Sequence, residues 1–184
     1  MKAVLISIHP QWCERIALCE KTLEVRKNSP KIATPFRCYI YQTKKKWLYK
    51  LLAPLKSFAW AETVIFGRGK VIGEFICDAI VPISVKYSDV NSMVALRKFP
   101  FTCQTDKQII DYLGNGVTGY AWHISNLKIY EKPKRITQFK GNCRLENSCL
   151  GCTDWNYQKA ECNGRTITRP PQSWCYVMEV NCNG

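Results

Sequence analysis

Short runs of strand length dominate this 184-residue chain, and they restrict its fold more than any other feature. Residues 2–8, 22–26, 36–41, 71–83, 120–130 and 174–180 are rich in Val, Ile, Tyr, Phe and Trp, and turn formers lie between them. Residues 10–19, with Pro10 at the first helical position, and residues 106–113, closed by Gly114, read as helices. Residues 44–66, with three consecutive lysines, several Trp and Leu and a central Pro54, fit either a helix-rich excursion or a long loop. Many strands, few helices and no repeated strand–helix alternation predict an α+β fold, a small β-barrel with a few flanking helices rather than a doubly wound sheet.

Composition narrows the class further. Hydrophobic residues make up 46% and charged residues 22%, ordinary values for a globular domain. No apolar run approaches the roughly 20 residues that span a bilayer, and residues 3–8 end at His9-Pro10, too short for a secretory signal core. A cytoplasmic protein with no membrane association is therefore expected. The formal charge is +13 and unevenly spread: residues 1–70 carry 14 basic against 4 acidic side chains, residues 71–184 carry 13 against 10. A basic half beside a nearly balanced one points to a polyanionic partner such as nucleic acid. The bland alternative is a basic protein with a solvated lysine run.

The stretch Cys19-Glu20-Lys21-Thr22-Leu23-Glu24-Val25-Arg26 carries the most chemistry. On a strand, Leu23 and Val25 share one face while Thr22, Glu24 and Arg26 share the other. That gives a core face and a charged face. A surface Glu-Arg pair contributing little to stability is the plain alternative.

Strand, His-Pro, helix and then Lys-Thr-x-Glu-x-Arg resembles the start of the ASCH domain, a member of the PUA-like superfamily with the signature Gly-x-Lys-x-x-Glu-x-Arg. Lys21, Glu24 and Arg26 match it, and Cys19 stands where the family has glycine. Residues 71–75 resemble the central strand of such domains, and residues 119–124 a later one. The resemblance covers about residues 1–130 plus the closing 173–180.

It implies an RNA- or nucleotide-binding protein with a basic cleft at Lys21, Glu24 and Arg26, flanked by Trp12 and bordered by Arg169 and Gln172. Single-stranded RNA is bound by positive charge with aromatic stacking. Trp12, Tyr39, Tyr41, Trp47 and Trp122 interleave with Arg37, Lys44, Lys45 and Lys46, although core packing explains any one aromatic equally well. The alternative is a hydrolase, either a ribonuclease with Lys21 and Glu24 in catalysis or an amidohydrolase acting on a modified nucleoside. The known amidohydrolase relatives have a nucleophilic threonine where this chain has Glu24, and a carboxylate does not replace that hydroxyl. Their glutamate follows the central strand, where this chain has Asp89 and Asp106; Glu74 lies on that strand, in the wrong element. His9 and His123 are further candidates, with a structural role as the alternative.

Residues 139–168 form a cysteine-rich insertion between the barrel, 1–138, and the closing strand and tail, 169–184. Cys143, Cys149, Cys152 and Cys162 include a Cys-x2-Cys knuckle and can enclose one structural zinc tetrahedrally. A polar insertion needs such a staple to fold, and reduced thiols in a loop are the alternative. Similar tails occur in bacterial and phage ASCH proteins with cysteine insertions. Cys13, Cys38, Cys77 and Cys175 read as core thiols.

Overall fold

In the computed structural model, β1 (Lys2–Ile8) is buried on both faces from Ala3 onward and lies inside a seven-stranded sheet. The structure describes residues 2–47, 51–84, 102–114, 117–141, 155–156, 161–162 and 164–179. β1 pairs in parallel with β3 (Phe36–Gln42) and antiparallel with β12 (Trp174–Met178). Beyond β3 come β4 (Val71–Cys77) and β7 (Ser125–Lys134), both antiparallel. Beyond β12 come β8 (Lys140–Gly141) and β11 (Arg165–Thr166).

Both faces of this sheet are covered, which explains the near-continuous apolar character of β1 and β3. One face sets Val4, Ile6 and Ile8 with Cys38, Ile40 and Phe75 against the helices α1 (Pro10–Ala17) and α2 (Ala59–Phe66) and against Trp122. The other sets Ala3, Leu5, Tyr39, Tyr41, Tyr130 and Val177 around Phe139. Each fully buried Leu or Ile here contributes about 1.5–3 kcal/mol.

A second, three-stranded sheet holds β2 (Leu23–Arg26), β6 (Thr118–His123) and β5 (Ile80–Ser84), with β6 in the middle. The helix α3 (Asp106–Leu113) covers its apolar face: Leu23, Val25, Ile83 and Ala121 pack with Ile109 and Leu113. Its N-terminus carries a reciprocal cap, with Thr105 Oγ1 accepting from the Gln108 amide and Gln108 Oε1 accepting from the Thr105 amide. Gly114, at φ 95°, ends it.

Two runs that read as single strands each break and enter both sheets. Residues 71–83 divide into β4 and β5 around Asp78-Ala79, and residues 120–130 into β6 and β7 at Ile124. The breaks meet at one corner, where the His123 amide donates to Ala79 O and His123 Nδ1 stands 2.6 Å from Asp78 Oδ1. Alternation of period two does not register such a bend. The α+β class is as expected, but the large sheet does not close into a barrel, because the chain switches sheets at this corner instead of continuing around a ring.

Residues 44–66 hold a 3-10 turn (Ala53–Leu55) and α2, so the helix-rich reading applies to their described part. Glu14, buried in α1, anchors the entrance: its carboxylate accepts from Trp47 Nε1 at 2.8 Å and from the Leu51 and Leu52 amides. Burial pushes the thiols of Cys13, Cys38 and Cys77 up, as expected of unreactive core cysteines. Cys143, Cys149 and Cys152 lie outside the described residues, and Cys162 is placed in the short β10 (Glu161–Cys162), opposite Trp155 of β9 (Trp155–Asn156).

Candidate functional site

A tight turn delivers the signature. α1 ends at Ala17, and Cys19 adopts φ 58°, the left-handed region that favours glycine. Its amide donates to Ile16 O, and the amides of Glu20 and Lys21 both donate to Arg15 O. An Arg15–Glu20 ion pair closes the outside. The residue where the resembled signature has glycine is therefore the one with the glycine-like backbone, and a cysteine occupies it under strain of about 1–2 kcal/mol.

Lys21, Glu24 and Arg26 come together, but inside the protein. They are 1%, 5% and 7% exposed, so they do not line an open groove. Lys21 Nζ donates to Leu23 O at 2.6 Å and to Thr102 O at 2.7 Å, and lies 5.3 Å from the centre of the Trp12 ring. It stands 3.5 Å from Glu24 Oε2, near enough for ion pairing and too far for a good hydrogen bond. Arg26 Nη2 bonds Glu24 Oε1 at 2.9 Å and Ser7 O at 2.7 Å. Burial holds the Lys21 ammonium below its ordinary pKa, with Glu24 opposing.

Glu24 Oε2, Arg26 Nε and Trp122 Nε1 are buried without a hydrogen-bond partner among the described residues. Trp122 faces Glu24 across the β2–β6 ladder, so these atoms gather on one face of the small sheet. Trp122 packs edge-on to Phe36 and at 5.8 Å from Trp174. Its indole is fully buried, as are Tyr39 and, nearly so, Tyr41; these three are core residues and not stacking platforms.

His9 is exposed at the N-terminus of α1, with Nδ1 3.2 Å from Thr43 Oγ1. Burial, then the charges of Lys45 and Arg26, lower its pKa. Thr43 leads into a cavity of about 360 Å³ lined by Ser7, Tyr41, Lys44, Gly69, Pro171 and Gln172, among others. Ser7 is the partition: its carbonyl receives Arg26, while its side chain lines the cavity and donates to Pro171 O at 2.6 Å. Arg169 is exposed between the lining residues Thr168 and Pro170 and takes no part in the buried network. Of the predicted cleft residues, the structure thus joins Trp12, Lys21, Glu24 and Arg26 and sets Arg169 and Gln172 beside a separate cavity.

No protein-family model and no curated protein matches the sequence. Among solved structures, the crystal structure of ASCH from Zymomonas mobilis aligns over 96% of this chain and 88% of its own, with a TM-score of 0.50 at 19% identity. The chain has an ASCH-domain fold. Structures of a tyrosine-to-phenylalanine and a serine-to-alanine variant of the same Zymomonas protein align equally well, at a TM-score of 0.50 and over 97% and 96% of this chain.

Glu74 lies elsewhere. It sits opposite Tyr39 on β4, bonded to Arg37 and to Tyr130 Oη, on the face of the large sheet that packs around Phe139. Lys21, Glu24 and Arg26 lie toward the α1 face. Glu74 therefore lies apart from the Lys21–Glu24–Arg26 network. Ser7, Glu14 and the Thr102 carbonyl carry no sequence signal, because each acts through a contact far along the chain.

Proposed function

We propose that this protein binds RNA or a nucleotide-containing ligand, with one nucleotide seated in the cavity beside Ser7. The observation that carries the reading is the charge around that cavity. Lys44 lines it, exposed Arg68 and Lys70 flank its lining residue Gly69, and exposed Arg169 lies between Thr168 and Pro170. No carboxylate is among the described lining residues. A volume of about 360 Å³ falls within the usual range for small-molecule sites. The buried Lys21–Glu24–Arg26 network supports this site from behind by fixing Ser7 O, and so positions the wall without touching the ligand.

The test is titration of a labelled RNA trinucleotide into the wild type and the Lys44→Ala/Arg169→Ala variant. Binding about tenfold weaker in the variant, with a shallower dependence on salt, is expected. Equal binding would remove the cavity from the function. Lys21→Ala is a poor probe, since it strips partners from Glu24 and two carbonyls and so tests folding first.

The hydrolase reading has one observation in its favour, a buried lysine of lowered pKa beside a glutamate. Turnover of labelled RNA or an acetylated nucleoside that is lost in Lys21→Arg while the fold is retained would support it.

For the cysteine-rich segment we propose a structural zinc. The register Gly141↔Arg165 brings the two ends of the segment together, two residues before Cys143 and three after Cys162. Zinc at one equivalent in the purified protein supports this; metal-free protein whose stability a chelator does not change refutes it.

A further inference from the structure

We propose that the ligand is a single-stranded oligonucleotide that runs from the cavity beside Ser7 along β7, rather than a mononucleotide held in the cavity alone. This rests on the nucleotide-binding reading above and extends it to a second region. A larger cavity, about 700 Å³, is lined by Lys128, Lys132 and Lys134 with Tyr130, Pro133 and Gln138; among its described lining residues Glu131 is the one acid. Lys128 and Lys132 are exposed, and Lys134 Nζ lies 4.4 Å from the centre of the Tyr130 ring.

The linings of the two cavities lie on paired and consecutive segments. Val71 at the start of β4 pairs with Lys134, so Lys70 and Gly69 on the first cavity's side lead directly to the second. The 3-10 turn Ile136–Gln138 divides them, with Ile136 lining the first and Gln138 the second. Exposed Arg135 precedes the turn. Lys44, Arg68, Lys70, Arg135, Lys132 and Lys128 therefore form a succession of cations on adjoining segments.

From Lys134 to Lys128 the strand runs about 20 Å. A mononucleotide cannot bridge that length, whereas about four or more nucleotides can. An unpaired base can enter the concave first cavity, and a base held in a duplex cannot. Polarity of charge and length thus favour an extended single strand.

The experiment compares a labelled 12-nucleotide single-stranded RNA with the trinucleotide on the wild type and on Lys128→Ala/Lys132→Ala. These exposed lysines are outside the first cavity and their loss leaves the fold intact, which a thermal melt checks. The 12-mer should bind the variant about tenfold more weakly, with the slope of log K against log salt reduced by about 1.4, while trinucleotide binding is unchanged. Unchanged 12-mer binding with the trinucleotide still bound overturns the track and leaves the cavity standing. Absence of any RNA binding by the wild type overturns the cavity reading and the track with it. A 12-base-pair duplex bound as tightly as the single strand overturns the single-strand assignment.

Discussion

The large sheet separates two clusters of charge, and they are built on opposite principles. On the α1 side, Lys21, Glu24 and Arg26 are all less than a tenth exposed, and three of the polar atoms gathered around them lack hydrogen-bond partners among the described residues. On the other side, Glu74 has both oxygens occupied, by Arg37 and by Tyr130 Oη, and Arg37 also bonds Glu179 at 2.8 Å while its side chain stays about a third exposed (32%). The second cluster is what a stabilising ion pair needs: full pairing and access to water. The first holds two cations against one carboxylate in a place where charge is costly to bury. Its value lies in positioning, since Arg26 and Lys21 fix the carbonyls of Ser7 and Thr102 and so tie three separate parts of the chain together.

Removing the carboxylate from each cluster should expose that difference most strongly. Glu24→Gln leaves two buried cations facing a neutral amide, and a loss of about 3–5 kcal/mol in urea unfolding is expected. Glu74→Gln should cost about 1–2 kcal/mol, because Arg37 keeps Glu179 and water screens the pair. Equal losses in the two variants would erase the contrast between them.

The turn that feeds the buried cluster gives a smaller effect of opposite sign. Cys19→Gly should raise stability by up to about 1 kcal/mol by relieving the left-handed backbone, less the chain freedom glycine adds to the unfolded state. Cys19→Ala, with the same strain, should give no such gain in a thermal melt. A gain with alanine would place the cost in the thiol and not in the backbone.

The smallest effect is a pH dependence from His9, which lies outside the first cluster but within reach of its charges. His9 lies close enough to Arg26 and Glu24 for its charge to respond to both, and its pKa is lowered in the folded state. Below the unfolded value of about 6.5 the unfolded chain binds the proton first, so stability is complete above that pH and declines as pH falls toward the folded value. His9→Asn should flatten the decline between about pH 7 and 5 in denaturation curves. A slope unchanged by that variant would assign it to other groups.

Much of the small sheet was legible from local pattern. The alternation in residues 22–26 placed Leu23 and Val25 in a core and Glu24 with Arg26 on the reverse, and the structure keeps that division. The resembled signature led to the right fold, and the structure brings its three side chains together. Their depth was not legible, because whether a charged face meets water depends on what the rest of the chain lays over it. Here α1 and the Thr102 segment cover it. The corner at Asp78 and His123 was missed for a related reason: two apolar runs stayed in phase across bends that only the pairing partners impose.

By itself, the sequence determined which residues alternate, where the helices begin, that a basic surplus exists and that the chain would adopt an α+β arrangement. These follow from neighbours one to four positions apart, where side-chain periodicity and turn chemistry act. Only the tertiary structure decided that the signature is buried, that Ser7 divides it from a cavity, and that Val71, next to Lys70, pairs with Lys134. Each of those depends on strands far apart in the chain becoming neighbours about 5 Å apart, a proximity that local pattern does not encode.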